Sequence, residues 1–145
     1  MSENEKVLEL FTKRYNCAQA VFATCGPCEG FTEEMCLAVA GPFGGGMGCM
    51  GETCGAVTGA FMALGVRCGQ GMVTNPIEAA GPIYKRVNEL AEAFKARHGS
   101  LLCRELTGCD MRTPEGKKQF KDRGLHDTLC PKFLLTAVEL LKEQR

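Results

Sequence analysis

Ten cysteines, at positions 17, 25, 28, 36, 49, 54, 68, 103, 109 and 130, are the residues of this chain most able to do chemistry. An ionised thiol is a nucleophile, a metal ligand and a partner in disulfide exchange. Where thiols stay reduced, this density points to redox or metal chemistry before structural bridging. Cys25-Gly26-Pro27-Cys28 places two thiols so that they can close a disulfide or share a metal, and it is read as a secondary redox pair. The same string serves thioredoxin between a strand and a long helix. Here a helical pattern precedes it and Glu29-Gly30 follows, so a thioredoxin fold is not expected. Cys17, Cys54, Cys103 and Cys130 fall on different predicted helices, each on or beside an inward-facing surface. Spacing alone does not show that they meet. The competing role for any of them is that of a small apolar core residue.

The other motifs offer less chemistry. Gly46-Met47-Gly48-Cys49-Met50-Gly51 spells G-x-G-x-x-G but lacks the preceding strand and βαβ setting of a dinucleotide site. Its backbone amides are still compatible with an anion or a sulfur cluster. Gly51, Gly55 and Gly59, followed by Ala63, share a helical face, and their bareness implies close packing there. The two histidines, His98 and His126, sit near predicted helix ends, where solvated or capping roles are expected. No C-x-x-C-H string offers covalent haem attachment. Lys117, Lys118, Lys121 and Arg123 read as a solvated face.

Helical periodicity must position these groups. Apolar residues from Val7 to Phe22 predict one helix over 3–24, with Cys17 in its middle. Thr32, Thr53, Asn75, Thr113 and Asp127 are candidate caps, and Gly99 and Gly108 are candidate stops. Capping at Thr53 puts Cys54 in a first helical turn, and capping at Asp127 puts Cys130 near a positive helix end; both positions favour thiolates. No segment alternates as a strand would. The expectation is an all-α fold, a single domain over 1–145, built as a bundle of five to seven helices with a glycine-rich loop before the third.

Composition narrows the function classes. Seventeen basic and seventeen acidic side chains cancel, which argues against nucleic-acid binding. The uncharged runs around Met35–Gly51 and Thr53–Val66 are too short for membrane spans, and the first contains Pro42 and several glycines. The amino terminus, Met-Ser-Glu-Asn-Glu-Lys, has no secretory signal pattern, so a cytoplasmic location is expected.

Five blocks carry a resemblance: Asn16-Cys17-Ala18-Gln19-Ala20-Val21, Phe43 to Gly48, Cys54-Gly55-Ala56-Val57-Thr58-Gly59, Gly99 to Leu106, and Cys130-Pro131-Lys132-Phe133. Through them nearly the whole chain resembles the C_GCAxxG_C_C family, to which redox activity is ascribed. In this chain the AxxG part follows Cys54-Gly55, where the family name spells Gly-Cys. The resemblance implies that Cys17, Cys54, Cys103 and Cys130 are the redox residues. They would act by thiol–disulfide exchange or electron transfer with an unidentified redox partner protein. A similar helical domain precedes the haem part of certain multidomain cytochromes. That likeness keeps an iron–sulfur cluster or zinc on the same four cysteines in view as the alternative. A structural module with inert core cysteines is the rival from another class. So many small residues are also compatible with a homodimer.

Overall fold

Capping chemistry decides where the helices begin and end. In the computed structural model, which describes residues 1–144, Ser2 accepts a hydrogen bond from Glu5 N at 3.0 Å and starts α1 (Glu3–Thr12). That helix stops where Tyr15 N donates to Leu10 O and Arg14 takes a left-handed φ of 79°. Asn16 then starts α2 (Cys17–Cys25) through a capping box: its side chain accepts from Gln19 N, and the Gln19 side chain accepts from Asn16 N, both at 2.9 Å. The single helix expected over 3–24 is therefore two. The apolar spacing runs across the break, and the capping box overrides it. Cys17 becomes the first residue of a helix instead of its middle.

Thr32 caps α3 (Glu33–Ala40) by accepting from Met35 N, and a 3-10 turn follows at Gly41–Phe43. After residues 44–53 comes α4 (Gly55–Cys68), whose N-cap is Cys54 and not Thr53. Next are α5 (Gln70–Thr74) and α6 (Pro76–His98), the latter running unbroken through Pro82 to a left-handed Gly99. Then α7 (Cys103–Thr107) stops at Gly108, and Thr113 caps α8 (Pro114–Asp122). A four-residue helix, α9 (Leu125–Thr128), leads into α10 (Cys130–Glu143), capped at Leu129 and not at Asp127. Helix accounts for 72% of the residues, and nine of these helices have five residues or more. The fold is all-α, but the expected five to seven helices are exceeded. The first helix splits in two, and the short α5 forms between Gly69 and Asn75, where no separate helix was expected. The helix after the glycine-rich stretch is thus the fourth. Among the described residues no helix is long and apolar enough to cross a membrane.

The helix α2 is the hub, packing against α1, α3, α4 and α10. Bare backbone sets its approach to α4. A Cβ on Gly55 would lie 2.8 Å from Ala18 N, and one on Gly59 would lie 2.7 Å from Ala18 O. The close-packing reading therefore holds for Gly55 and Gly59. Gly51 lies outside the helix at φ 72°, where a Cβ would meet Arg104. Phe22, Leu64, Leu90, Phe94, Leu134 and Leu141 fill the core beneath, each contributing roughly 1.5–3 kcal/mol on burial.

Candidate functional site

Four helix starts face one cavity. Cys17 is the first residue of α2, Cys54 the N-cap of α4, Cys103 the first residue of α7 and Cys130 the first residue of α10. All four line a cavity of about 510 Å³, within the size range of small-molecule sites. Phe11, Tyr15, Leu106, Met111, Phe120 and Phe133 form much of its apolar wall. Local chemistry explains each placement. The Asn16 capping box fixes Cys17. A two-residue antiparallel pairing fixes Cys54 against Cys103: Cys54 N donates to Leu101 O and Cys103 N to Glu52 O, both at 2.7 Å, around the Thr53–Leu102 bridge. The Arg104–Glu52 ion pair at 3.1 Å and the Arg104 bond to Gly51 O hold that pairing from the side.

The glycine-rich stretch forms the fourth side through an unusual backbone. Residues 45–49 all have positive φ: 63, 72, 66, 56 and 62°. Their amides and those just after turn back onto their own strand of chain, Gly48 N to Pro42 O, Cys49 N to Gly44 O, Gly51 N to Gly45 O and Glu52 N to Gly46 O. Amides engaged in this way do not point at an anion. Glycine takes left-handed φ freely, whereas Met47 and Cys49 each cost about 1–2 kcal/mol there. A Cβ on Gly46 would sit 2.8 Å from the Cβ of Cys103. The turn therefore needs glycine at 46 to pass the cysteine.

The positive ends of four helices favour thiolates, and burial opposes them. Burial wins at Cys54, 5% exposed, whose pKa is pushed up to about 12 although the α4 amides at Ala56 and Val57 pull the other way. The thiolate expected at Cys54 is thereby overturned. Burial also pushes Cys103 up to about 11. Cys17 and Cys130 behave as a pair. A hydrogen bond between them raises Cys17 well above its ordinary value, with burial adding to the rise, and lowers Cys130 against the opposing effect of burial. Of the two, Cys130 is thereby the thiol that ionises more readily.

The remaining cysteines divide clearly. Cys36 is fully buried and pushed up to about 11 by burial; Cys109 is buried with its thiol donating to Thr107 O. Both fit the core-thiol role. Cys68 closes α4 outside the cavity. Cys25 is buried at the carbonyl end of α2, and Cys28 is exposed in the turn after it. That end of a helix disfavours a thiolate, the reverse of the arrangement that activates such a pair. Among the described residues there is no disulfide.

Three lining residues escaped the sequence reading. Cys49, half-buried, lines the cavity, as does Arg14 on its left-handed backbone. His126 also lines it, its ring stacked on Phe11 at 4.0 Å and its Nδ1 3.0 Å from Asp127 Oδ1. His98, by contrast, packs between Phe94 and Phe133 with Nε2 2.8 Å from Thr136 Oγ1, and burial lowers its pKa. Both histidines are half-buried, each with its ring against an aromatic neighbour and one ring nitrogen on a polar side chain. Positive φ at Gly45 to Cys49 has no periodic signature, and the Phe11–His126 stack joins the two ends of the chain.

Four cysteines could in principle hold zinc or an iron–sulfur cluster. Among the described residues, however, no three of His, Cys, Asp and Glu stand so as to hold one metal ion. The donor set as placed does not form a single-ion centre such as a zinc site.

An all-α fold whose helix starts gather cysteines around an apolar cavity defines a cysteine-centred helical protein. The chain belongs to the C_GCAxxG_C_C family: residues 15–144 match the family described as "Putative redox-active protein (C_GCAxxG_C_C)". The chain matches no curated protein and no solved structure.

Proposed function

We propose that this protein carries out thiol–disulfide exchange in the cavity, with Cys130 as nucleophile and Cys17 as resolving thiol. The observation that carries this reading is that Cys17 and Cys130 start two helices on the wall of one cavity, where the interaction between the two thiols lowers Cys130 against the effect of burial. The Cys130 thiolate attacks one sulfur of a substrate disulfide, forming a mixed disulfide and expelling the other sulfur as a thiolate. That leaving thiolate takes a proton, and Cys17, having lost its own, attacks Cys130 Sγ. A Cys17–Cys130 disulfide forms, and the second substrate thiolate leaves. The substrate gains two electrons, and the protein is oxidised by two. Cys54 and Cys103 stay protonated at neutral pH and complete the cavity wall. A redox partner protein would return the pair to the dithiol.

The test is to treat the reduced protein with oxidised glutathione, block remaining thiols, and map disulfides by mass spectrometry. A Cys17–Cys130 link with loss of two thiols is expected, and Cys130→Ser abolishes it. Oxidation confined to Cys25–Cys28, or no loss of thiols, contradicts the reading.

A further inference from the structure

We infer that the cavity is a binding site for a small aromatic anion, seated with its ring on the apolar wall and its acidic group on Arg14. Resting on the exchange reading above, this names the substrate as the disulfide of a low-molecular-weight aromatic thiol that carries a carboxylate.

The wall sets the body of the ligand. Phe11, Tyr15, Phe120, His126 and Phe133 bring their rings to a cavity of about 510 Å³. Phe11 and His126 stack at 4.0 Å with an interplanar angle of 13°, so these two rings form one flat aromatic unit. A planar aromatic ligand gains offset or edge contacts from such a wall beyond the burial of its area.

Charge sets the ligand's polarity. Among the described residues no Asp or Glu lines the cavity, and Arg14 is its one Arg or Lys. Arg67, Arg86, Arg97, Arg104, Arg112 and Arg123 each donate a side-chain hydrogen bond to a carbonyl or carboxylate oxygen. Among the described arginines only the Arg14 guanidinium has no such bond. Its charge is felt by Asp127, but that carboxylate is 82% exposed, lies 3.0 Å from His126 Nδ1, and is outside the lining. Arg14 therefore brings an uncommitted planar fork of N–H donors to the cavity, the geometry that a carboxylate accepts from with both oxygens.

Burial decides between a small molecule and a protein. Cys130 is 6% exposed, so a disulfide must enter the cavity to reach it. One that joins two folded segments of a protein cannot follow it in, whereas a small disulfide can. An aryl thiolate also leaves more readily than an alkyl one, because its thiol is more acidic. With R the aryl carboxylate group, R–S–S–R and the thiols of Cys17 and Cys130 give two R–SH and the Cys17–Cys130 disulfide. Two electrons and two protons pass to the ligand.

The experiment titrates the reduced full chain with 2-naphthoate by fluorescence, which no tryptophan obscures. It is repeated with the uncharged 2-naphthamide and with Arg14→Asn, because Asn tolerates the left-handed backbone at this position. Naphthoate should bind at one equivalent, and Arg14→Asn should weaken it about tenfold or more while leaving naphthamide binding unchanged. Equal binding of acid and amide, an acid affinity that Arg14→Asn leaves unchanged, or no binding at all overturns the anion site. The exchange has its own readout: 5,5′-dithiobis(2-nitrobenzoate), an aromatic disulfide bearing carboxylates, should form the Cys17–Cys130 link, and more slowly in Arg14→Asn. Naphthoate binding without that link overturns the exchange reading and the substrate with it, and leaves the anion site standing. The link without naphthoate binding overturns the anion site alone.

Discussion

The two ends of α2 each carry cysteine chemistry, and they differ in almost every physical respect. The carbonyl end holds Cys25 and Cys28 in one contiguous motif, with Cys28 exposed in a turn. The amino end holds Cys17 alone in sequence, but α4, α7 and α10 bring Cys54, Cys103 and Cys130 to the same cavity. The motif that reads most clearly as redox therefore lies at the electrically unfavourable end. The assembled set lies where four helix starts meet. Proximity along the chain supplies two sulfurs, whereas activation needs a field and a proton donor, and folding provides those from distant segments.

The largest effect expected from this contrast is on alkaline stability. Cys54 has a folded pKa raised from 9.0 to about 12. Its contribution is whole below pH 9 and is lost as pH rises towards 12, because the unfolded chain releases the proton first. Urea titrations over that range should show a loss on the order of a few kcal/mol, with the slope reduced in Cys54→Ala. An unchanged slope in that variant would break the assignment of burial as the controlling force at the amino end.

Packing at the amino half of α2 comes next in size. Gly59→Ala places a methyl against Ala18 O and the Val21 Cβ, and should cost about 1–3 kcal/mol in urea unfolding. By forcing α4 away from α2 it should also slow Cys17–Cys130 disulfide formation. The smallest effect is the control on the same helix. Gly65 is exposed with nothing within 4 Å of an added Cβ, so Gly65→Ala should raise stability by about 1 kcal/mol and leave thiol reactivity unchanged.

Much of the fold was legible wherever a local signal was decisive. The caps at Thr32 and Thr113 and the stops at Gly99 and Gly108 lie where residue type places them. The break before Cys17 was harder to read, because hydrophobic spacing continues through Arg14 while the ending depends on a left-handed non-glycine residue and a side-chain exchange between Asn16 and Gln19. Gly51 was assigned to a helix because its spacing from Gly55 and Gly59 is helical, yet its φ of 72° belongs to a turn. The four family cysteines could be named from blocks of sequence, and Cys54 and Cys130 could be set near helix starts, but the meeting of all four on one cavity could not be read. Cys49 was missed for the same reason. Its place on the cavity wall comes from a left-handed turn that no residue spacing announces.

The most direct measurement is the pH dependence of alkylation at Cys130, followed site by site by mass spectrometry in the natural protein and in Cys17→Ala. The hydrogen bond from Cys17 lowers the Cys130 thiol, so Cys130 should react with a midpoint below 9.0. Removing the donor should move that midpoint upward and slow the reaction at neutral pH. A Cys130 that stays unreactive below pH 9, or whose profile is the same in Cys17→Ala, contradicts the claim that these two thiols form the working pair.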